Sequence, residues 1–274
     1  MEINQVDLHI HTTCSDGQYS VDEILEMSKQ KGLRVIGIVD HDTAKHFEVL
    51  AKSRLAVDML LEGYRIFAGI EFSCKIGNLR MHLIGYSINY KDDTIVRLIE
   101  KATKFREQKL EYFLDRLAKV NIKFTESQKQ ELKKTANVGR SQLAMYMVEI
   151  GVVNSIEEAF SNFLMEDDQV NSYKLEARDV IDAVHSVGGF VVIAHPYQIM
   201  TDNKLSIDDT VRVWDTLVEL GADGMECYYS KYKPVQIKTL LNYAETKKLS
   251  VTMGSDFHGE KVKPNIKLGQ IKTL

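Results

Sequence analysis

The sequence predicts an α/β fold: a mostly parallel sheet wrapped by helices and closed, or nearly closed, into a barrel, with an open sheet as the alternative. Three observations predict it. Short β-branched and apolar runs alternate with amphipathic stretches, which is the pattern of repeated strand–helix units. Several of the runs are apolar throughout, as strands covered on both faces must be. About seven such units follow one another, enough to close a barrel.

Strands are expected over 6–12 (VDLHIHT), 35–41 (VIGIVDH), 64–74 (YRIFAGIEFSC), 81–88 (MHLIGYSI), 189–195 (GFVVIAH), 224–229 (GMECYY) and 250–256 (SVTMGSD). Helices are expected between them over 20–32, 44–63, 177–189, 208–221 and 233–248. Ser20 with Glu23 three residues later reads as a capping box that starts the first helix. Gly32 and Gly221 stand where the first and fourth of these helices should end. Residues 92–172 break the rhythm. Leu98, Ala102, Phe105, Leu110, Phe113, Leu114 and Leu117 recur at helical spacing, GRSQLAMYMVEIGVV and SIEEAFSNFL add two short helices, and no strand is expected. The division is therefore a barrel formed by 1–91 and 173–274, with a helical insertion at 92–172.

Bulk properties narrow the function. The 274 residues carry a formal net charge of -4, which excludes a generic nucleic-acid binder. Within the insertion, residues 101–140 hold eleven Lys and Arg against five Asp and Glu, an excess of +6 that reads first as a solvated helix face. Cys14, Cys74 and Cys227 show no C-x-x-C spacing and are odd in number, so no disulfide framework is expected. The N-terminus has neither a basic nor an apolar leader region, and no apolar run is long enough to span a bilayer. A reducing, cytoplasmic compartment is the expectation, with no membrane association and no obligate protein partner.

The chemistry lies in where imidazoles and carboxylates fall. His9 and His11 form H-x-H in an apolar strand, and the two-residue period puts both rings on one face. His41 ends the second strand, Glu71 ends AGIE, His195 ends VVIAHP, and Asp256 and His258 form D-x-H after VTMGS. His82 opens its strand instead. It reaches the same mouth only if 71–82 turns back as a hairpin. Six of the eight histidines thus sit at strand termini. Burying so many titratable groups together is costly unless metals compensate them, and imidazole with carboxylate suits Zn, Mn and Fe. His46 and His185 lie in helical segments and read as packing or surface residues.

The motifs DLHIHTTCSDG (7–17), GIVDHDT (37–43), GIEFSC (69–74), HLIGY (82–86), GGFVVIAHP (188–196) and GSDFHG (254–259) resemble those of the polymerase and histidinol phosphatase (PHP) superfamily. NVGRSQLAMYMVEIGVVNSIEEAFSNFL (137–164) is similar to the insertion motif of its stand-alone phosphoesterases. The resemblance implies a distorted (β/α)7 barrel whose insertion caps the active site, and two or three divalent metal ions (Mn, Fe or Zn). It implies that His9, His11 and Asp256 hold the first metal and that Glu71 bridges it to the second. His82 and His195 complete the second, and Asp16, His41 and His258 hold the third. The implied reaction is hydrolysis of a phosphate ester by a hydroxide held between metals, with Glu71, His258 and His41 as catalytic residues. His258 or His41 becomes a proton donor to the leaving group where the third metal is absent. Arg140, Lys174 and Tyr229 are the candidates for binding the substrate phosphate, with Tyr197 and Lys231 as weaker ones. The expected substrate is a small phosphorylated molecule, a nucleotide such as a nucleoside 3′,5′-bisphosphate. The alternatives are 5′-3′ exonuclease action on a short RNA or DNA oligonucleotide and, behind it, histidinol phosphatase activity.

Overall fold

A computed structural model describes residues 5–134 and 138–273. Its eight-stranded sheet contains β1 (Val6–Ile10), β2 (Val35–Ile38), β3 (Arg65–Ile76), β4 (Leu79–Tyr86), β5 (Leu175–Glu176), β6 (Phe190–Ile193), β7 (Gly224–Tyr229) and β8 (Ser250–Gly254). Seven follow the order β1-β2-β3-β4-β6-β7-β8, and β5 pairs with the far end of β3. β1, β2 and β3 are parallel, as are β6, β7 and β8. β4 runs antiparallel to both β3 and β6, which is the distortion of the barrel. Just past β8 the ring nearly closes on β1. Asp256 N–H donates to the His9 carbonyl (2.8 Å) and His11 N–H to the Phe257 carbonyl (3.0 Å).

Residues on or just past β1, β2, β4 and β6 plug the interior. Val39, Ile84, Tyr86, Val192 and Ala194 pack together with Leu8 and Phe190, and the Tyr86 hydroxyl crosses from β4 to donate to the Leu8 carbonyl. Outside, α1 (Val21–Gln30), α2 (Lys45–Lys52) and α3 (Arg54–Leu61) flank β1–β3. The apolar residues of α1 and α3 pack on β1 and β2. The opposite side is covered by α9 (Ala177–Ser186), α10 (Pro196–Asn203), α11 (Ile207–Leu220) and α12 (Pro234–Lys247). The Ser20–Glu23 capping box starts α1. Gly221, at φ +113, ends α11 in a conformation that glycine adopts without penalty.

The structure corrects several expectations. The helix expected over 44–63 is two helices broken at Ser53, whose hydroxyl caps α3 and donates to Asp22. α10 arises just past the strand expected to end at His195, where no element was expected. His82 does not open its strand but is the fourth residue of β4, opposite Ser73 across an antiparallel pair. The hairpin needed to bring it to the barrel mouth is present.

The intervening segment is helical: α4 (Asp93–Lys119), α5 (Glu126–Lys134), α6 (Arg140–Glu149), α7 (Ile156–Asn162) and α8 (Asp168–Ser172). Its own apolar cluster joins Phe113, Leu117, Leu143, Met147 and Val170. The first turns of α4 belong to the barrel side, where Ile95, Leu98 and Ala102 pack with Ile181 and Val184. Among the described residues, no helix is long and apolar enough to cross a membrane.

Candidate metal centre

Two-residue alternation brings His9 and His11 from the end of β1 to one point, with their Nε2 atoms 3.1 Å apart. Glu71 sits beneath them on β3, with no exposed surface. Five imidazoles converge on its carboxylate. His82 Nδ1 and His195 Nε2 each lie 2.9 Å from Oε1. Oε2 is 3.0 Å from His11 Nε2, 3.1 Å from His9 Nε2 and 3.3 Å from His41 Nδ1. Asp256 Oδ1 faces His258 Nδ1 at 3.2 Å, and Asp16 Oδ1 faces His258 Nε2 at 3.3 Å. All nine residues expected at the site therefore meet at one mouth of the barrel, from segments as far apart in sequence as His9 and His258.

The donors fit divalent metals on grounds of their own. Glu71 Oε2, His11 Nδ1 and His195 Nδ1 are buried and make no hydrogen bond. Native interiors rarely leave such groups unpaired, and a cation is the natural partner for converging lone pairs. Three groups have ligand atoms within 4.8 Å of one another: His9, His11, Glu71 and Asp256; His11, Asp16, His41 and His258; and His41, Glu71 and His82. His195 stands outside these groups although it touches Glu71. The backbone is strained here too, with His195 at φ 28 and Asp256 at φ 59, a cost of roughly 1–3 kcal/mol each that clusters at functional sites.

A supporting layer fixes the rings. Glu226 Oε1 accepts from His9 Nδ1 (3.0 Å) and Oε2 from the His195 N–H (2.8 Å), so His9 presents Nε2 to the centre. Tyr229 and Lys263 both donate to Asp256 Oδ2, at 2.8 and 2.7 Å. Asp40 accepts from the Thr12 N–H and hydroxyl and from Ser15, and so shapes the loop carrying Asp16. His46 is buried, with Nε2 bonded to the Gly69 carbonyl, and has a packing role as expected.

Burial alone would raise the Glu71 carboxyl, but His41, His9 and His82 outweigh it and hold it well below the usual range. Burial lowers His41 to about 3, against the pull of Glu71 and Asp16, so it is neutral at pH 7 and ready to ligate. His9 goes the other way: burial lowers it, yet Glu71 and Glu226 together raise it well above 6.5. Metal must then displace the His9 proton at neutral pH. Metal affinity of the stripped protein should rise with pH from the acid side through neutrality, with about one proton released per chain on loading at neutral pH. Calorimetry in buffers of different ionisation enthalpy measures that proton; a pH-independent affinity would contradict the assignment.

Over the centre lies a cleft of about 660 Å³, walled on the insertion side by Arg106, Lys109, Arg140 and Phe160. Arg140 opens α6, stacks on Phe160 and points its Nε to within 3.3 Å of Glu166. Lys174 is nearly buried and also faces Glu166. Tyr229 lines the cleft, but its hydroxyl is committed to Asp256, which makes it a support of that aspartate. Tyr197 and Lys231 line the opposite wall. Asn137 of the N-V-G-R motif lies outside the described residues. The basic run does not form one face: Lys101, Arg116, Lys129 and Lys133 pair with acids elsewhere on the surface.

Sequence reasoning missed Arg106, whose guanidinium binds Asp42 (2.7 Å) beside His41, as well as Glu166, Lys263 and Glu226. Only Glu226 left a signal, a lone carboxylate within the apolar run GMECYY.

Known proteins resemble this chain in sequence and fold. The chain is 28% identical, over 92% of its length and 89% of the relative's, to a 5′-3′ exoribonuclease of Haemophilus influenzae. It is 21% identical to a 3′,5′-nucleoside bisphosphate phosphatase of Chromobacterium violaceum, over 92% and 87%. A Bifidobacterium adolescentis protein assigned as a metal-dependent phosphoesterase superposes with a TM-score of 0.80 at 25% identity, covering 97% of this chain and 91% of that one. Residues 7–190, which carry six of the nine converging side chains, match the PHP domain, and the chain belongs to the PHP-domain family.

Proposed function

We propose that the protein is a metal-dependent phosphoesterase acting on terminal phosphate esters of nucleotides, with a nucleoside 3′,5′-bisphosphate as its small-molecule substrate. The observation that carries this reading is the facing of two opposite charge arrangements across one cleft: nine ligand-type side chains on the floor and the cations of α4 and α6 on the wall. His9, His11, Glu71 and Asp256 would hold one ion, Glu71, His82 and His195 a second, and Asp16, His41 and His258 a third. Mn, Fe and Zn all suit this donor set. Such ions supply Lewis-acid charge at phosphorus and acidify water so that a nucleophile exists at pH 7.

The chain's own residues do the rest. Arg140 and Lys174 hold phosphate oxygens, the guanidinium through two parallel donors. Glu226 fixes His9 and the end of β6 together. Where the third ion is absent, His258 is the better placed of the two candidate proton donors. Its Nδ1 is held by the Asp256 carbonyl at 2.9 Å, which leaves Nε2 toward Asp16 and the cleft. His41, neutral at pH 7, has no proton to spare. The cleft's size suits one small ligand of this class.

A second reading is 5′-3′ cleavage of short RNA, favoured by the higher identity to the Haemophilus exoribonuclease. Phosphate release and product length, measured with Mn on a nucleoside 3′,5′-bisphosphate and on a short 5′-phosphorylated RNA, separate the two. We expect kcat/KM at least about tenfold higher for the bisphosphate. A preference for RNA selects the second reading, and no hydrolysis of either substrate by metal-loaded protein refutes both.

A further inference from the structure

The Glu166 side chain is only 4% exposed, yet it belongs to none of the clusters on the cleft floor. It lies between α7 and α8, and its ion-pair partners come from four separate segments. Arg80 Nη1, on β4, is 2.7 Å away. Lys174 Nζ, ahead of β5, and Arg140 Nε, on α6, are each at 3.3 Å. Lys109 Nζ, on α4, is at 4.0 Å. Two of these segments belong to the barrel and two to the insertion.

Charge balance argues against a purely structural pairing. Burial and the neighbouring Lys174 push the Lys109 ammonium well below its ordinary range. Even with Lys109 counted as neutral and with Asp202, which lines the same recess, set against them, three cations outnumber the two carboxylates by one. A buried ion pair adds little net stability over an apolar substitute, and surplus charge adds less. The surplus is aimed somewhere: Arg80, Arg140, Glu166 and Lys174 share the walls of a narrow recess with His82 and His195, at the edge of the metal centre. An incoming dianion would neutralise it there.

We propose that Glu166 is a positioning residue: a fixed internal counter-ion that clamps Arg140 of the insertion and Lys174 of the barrel side so that both meet one substrate phosphate. This rests on the phosphoesterase reading of the same cleft. Without the clamp, the long side chains of Arg140 and Lys174 regain rotamer freedom that phosphate must then restrain. Glu166 also competes with phosphate for the same cations, so the two roles predict opposite signs. Clamping predicts weaker phosphate binding when the charge is removed, whereas competition alone predicts tighter binding.

The test is inorganic phosphate binding by calorimetry to the protein as purified, with its metals. Glu166→Gln is expected to weaken phosphate about tenfold, to raise KM by a similar factor and to leave kcat within about twofold. Arg140→Ala should weaken phosphate comparably, and the double variant should be weaker than either single variant by clearly less than the product of the two effects, because the glutamate acts partly through the arginine and partly through Lys174. Unchanged or tighter phosphate binding by E166Q overturns the proposal, as do additive effects in the double variant or no measurable phosphate binding by the wild type. Should E166Q fail to fold, Glu166→Asp keeps the charge on a shorter arm and is expected to weaken phosphate about threefold; unchanged affinity there also overturns the proposal. Failure of the phosphoesterase reading looks different: the same preparation would hydrolyse no phosphate ester, whatever its affinity for phosphate.

Discussion

Replacing Glu71 by alanine is expected to lower turnover by on the order of 10³-fold or more and to strip most bound metal, while the fold survives. Removing a partner that merely orients a ligand costs roughly 10- to 100-fold. Glu71 stands one layer closer, with both oxygens within 3.3 Å of imidazole nitrogens from β1, β2's following loop, β4 and β6. No neighbouring carboxylate can take its place at the centre of those rings. The loss is expected to be electrostatic first. Glu71→Gln keeps the volume and one carbonyl oxygen but removes the charge that two ions would share, and it should lose nearly as much activity as alanine. Metal content by elemental analysis and kcat with Mn supplied check this together. If either variant retained wild-type metal and kcat within about threefold, Glu71 would not be a shared ligand. Circular dichroism should show the helices intact, because the carboxylate bonds to no backbone group that holds the sheet.

What the sequence could say about this centre depended on period and position. H-x-H in an apolar strand is a local statement, and alternation carried it from sequence to geometry without help from the rest of the chain. Carboxylates and imidazoles following strands converge because successive parallel strands deliver their ends to one rim. His82 needed more, a reversed strand, and the short 71–82 connection was enough to suggest it. The break at Ser53 was not legible, since AKHFEVLAKSRLAVDMLLEG keeps a helical pattern across it. The competing interaction comes from Asp22 on another helix, 31 residues away in sequence. α10 was legible in principle: Pro196 follows His195 at the first helical position, a start signal that went unused. Glu166 and Lys109 were illegible for a different reason. Charged residues in helices and the loops between them are usually solvated, and only the packing of the insertion against the barrel buries these two side chains. Supporting residues such as Glu226 and Lys263 acquire meaning once the ligand they hold is placed.

Gly254→Ala should be the most damaging single-methyl change in the barrel, at a position with no ionisable group. Gly254 ends β8 at the seam where the sheet closes on β1. A Cβ there would overlap the His9 Cβ and lie 2.6 Å from Glu226 Oε1 and 2.9 Å from the His9 backbone nitrogen. None of these can retreat cheaply. The His9 carbonyl is bound to Asp256 N–H and its Nδ1 to Glu226, while β1 is paired with β2 on its other side. The seam must therefore open, and opening moves His9 and Glu226 together, with Asp256 two residues beyond on the strained turn. Overpacking a rigid site costs about 3 kcal/mol at the upper end of its usual range. A displacement near 1 Å of a catalytic constellation costs about 10²-fold in rate. The expected result is a fall of about 3 kcal/mol in urea-denaturation stability and a fall of about 100-fold in kcat, with both effects present in the same variant. Stability lost with kcat intact would mean that the seam yields on the helix side and that His9 does not depend on it. Both values near wild type would mean that β1 and β8 do not meet as closely as the position of Gly254 requires.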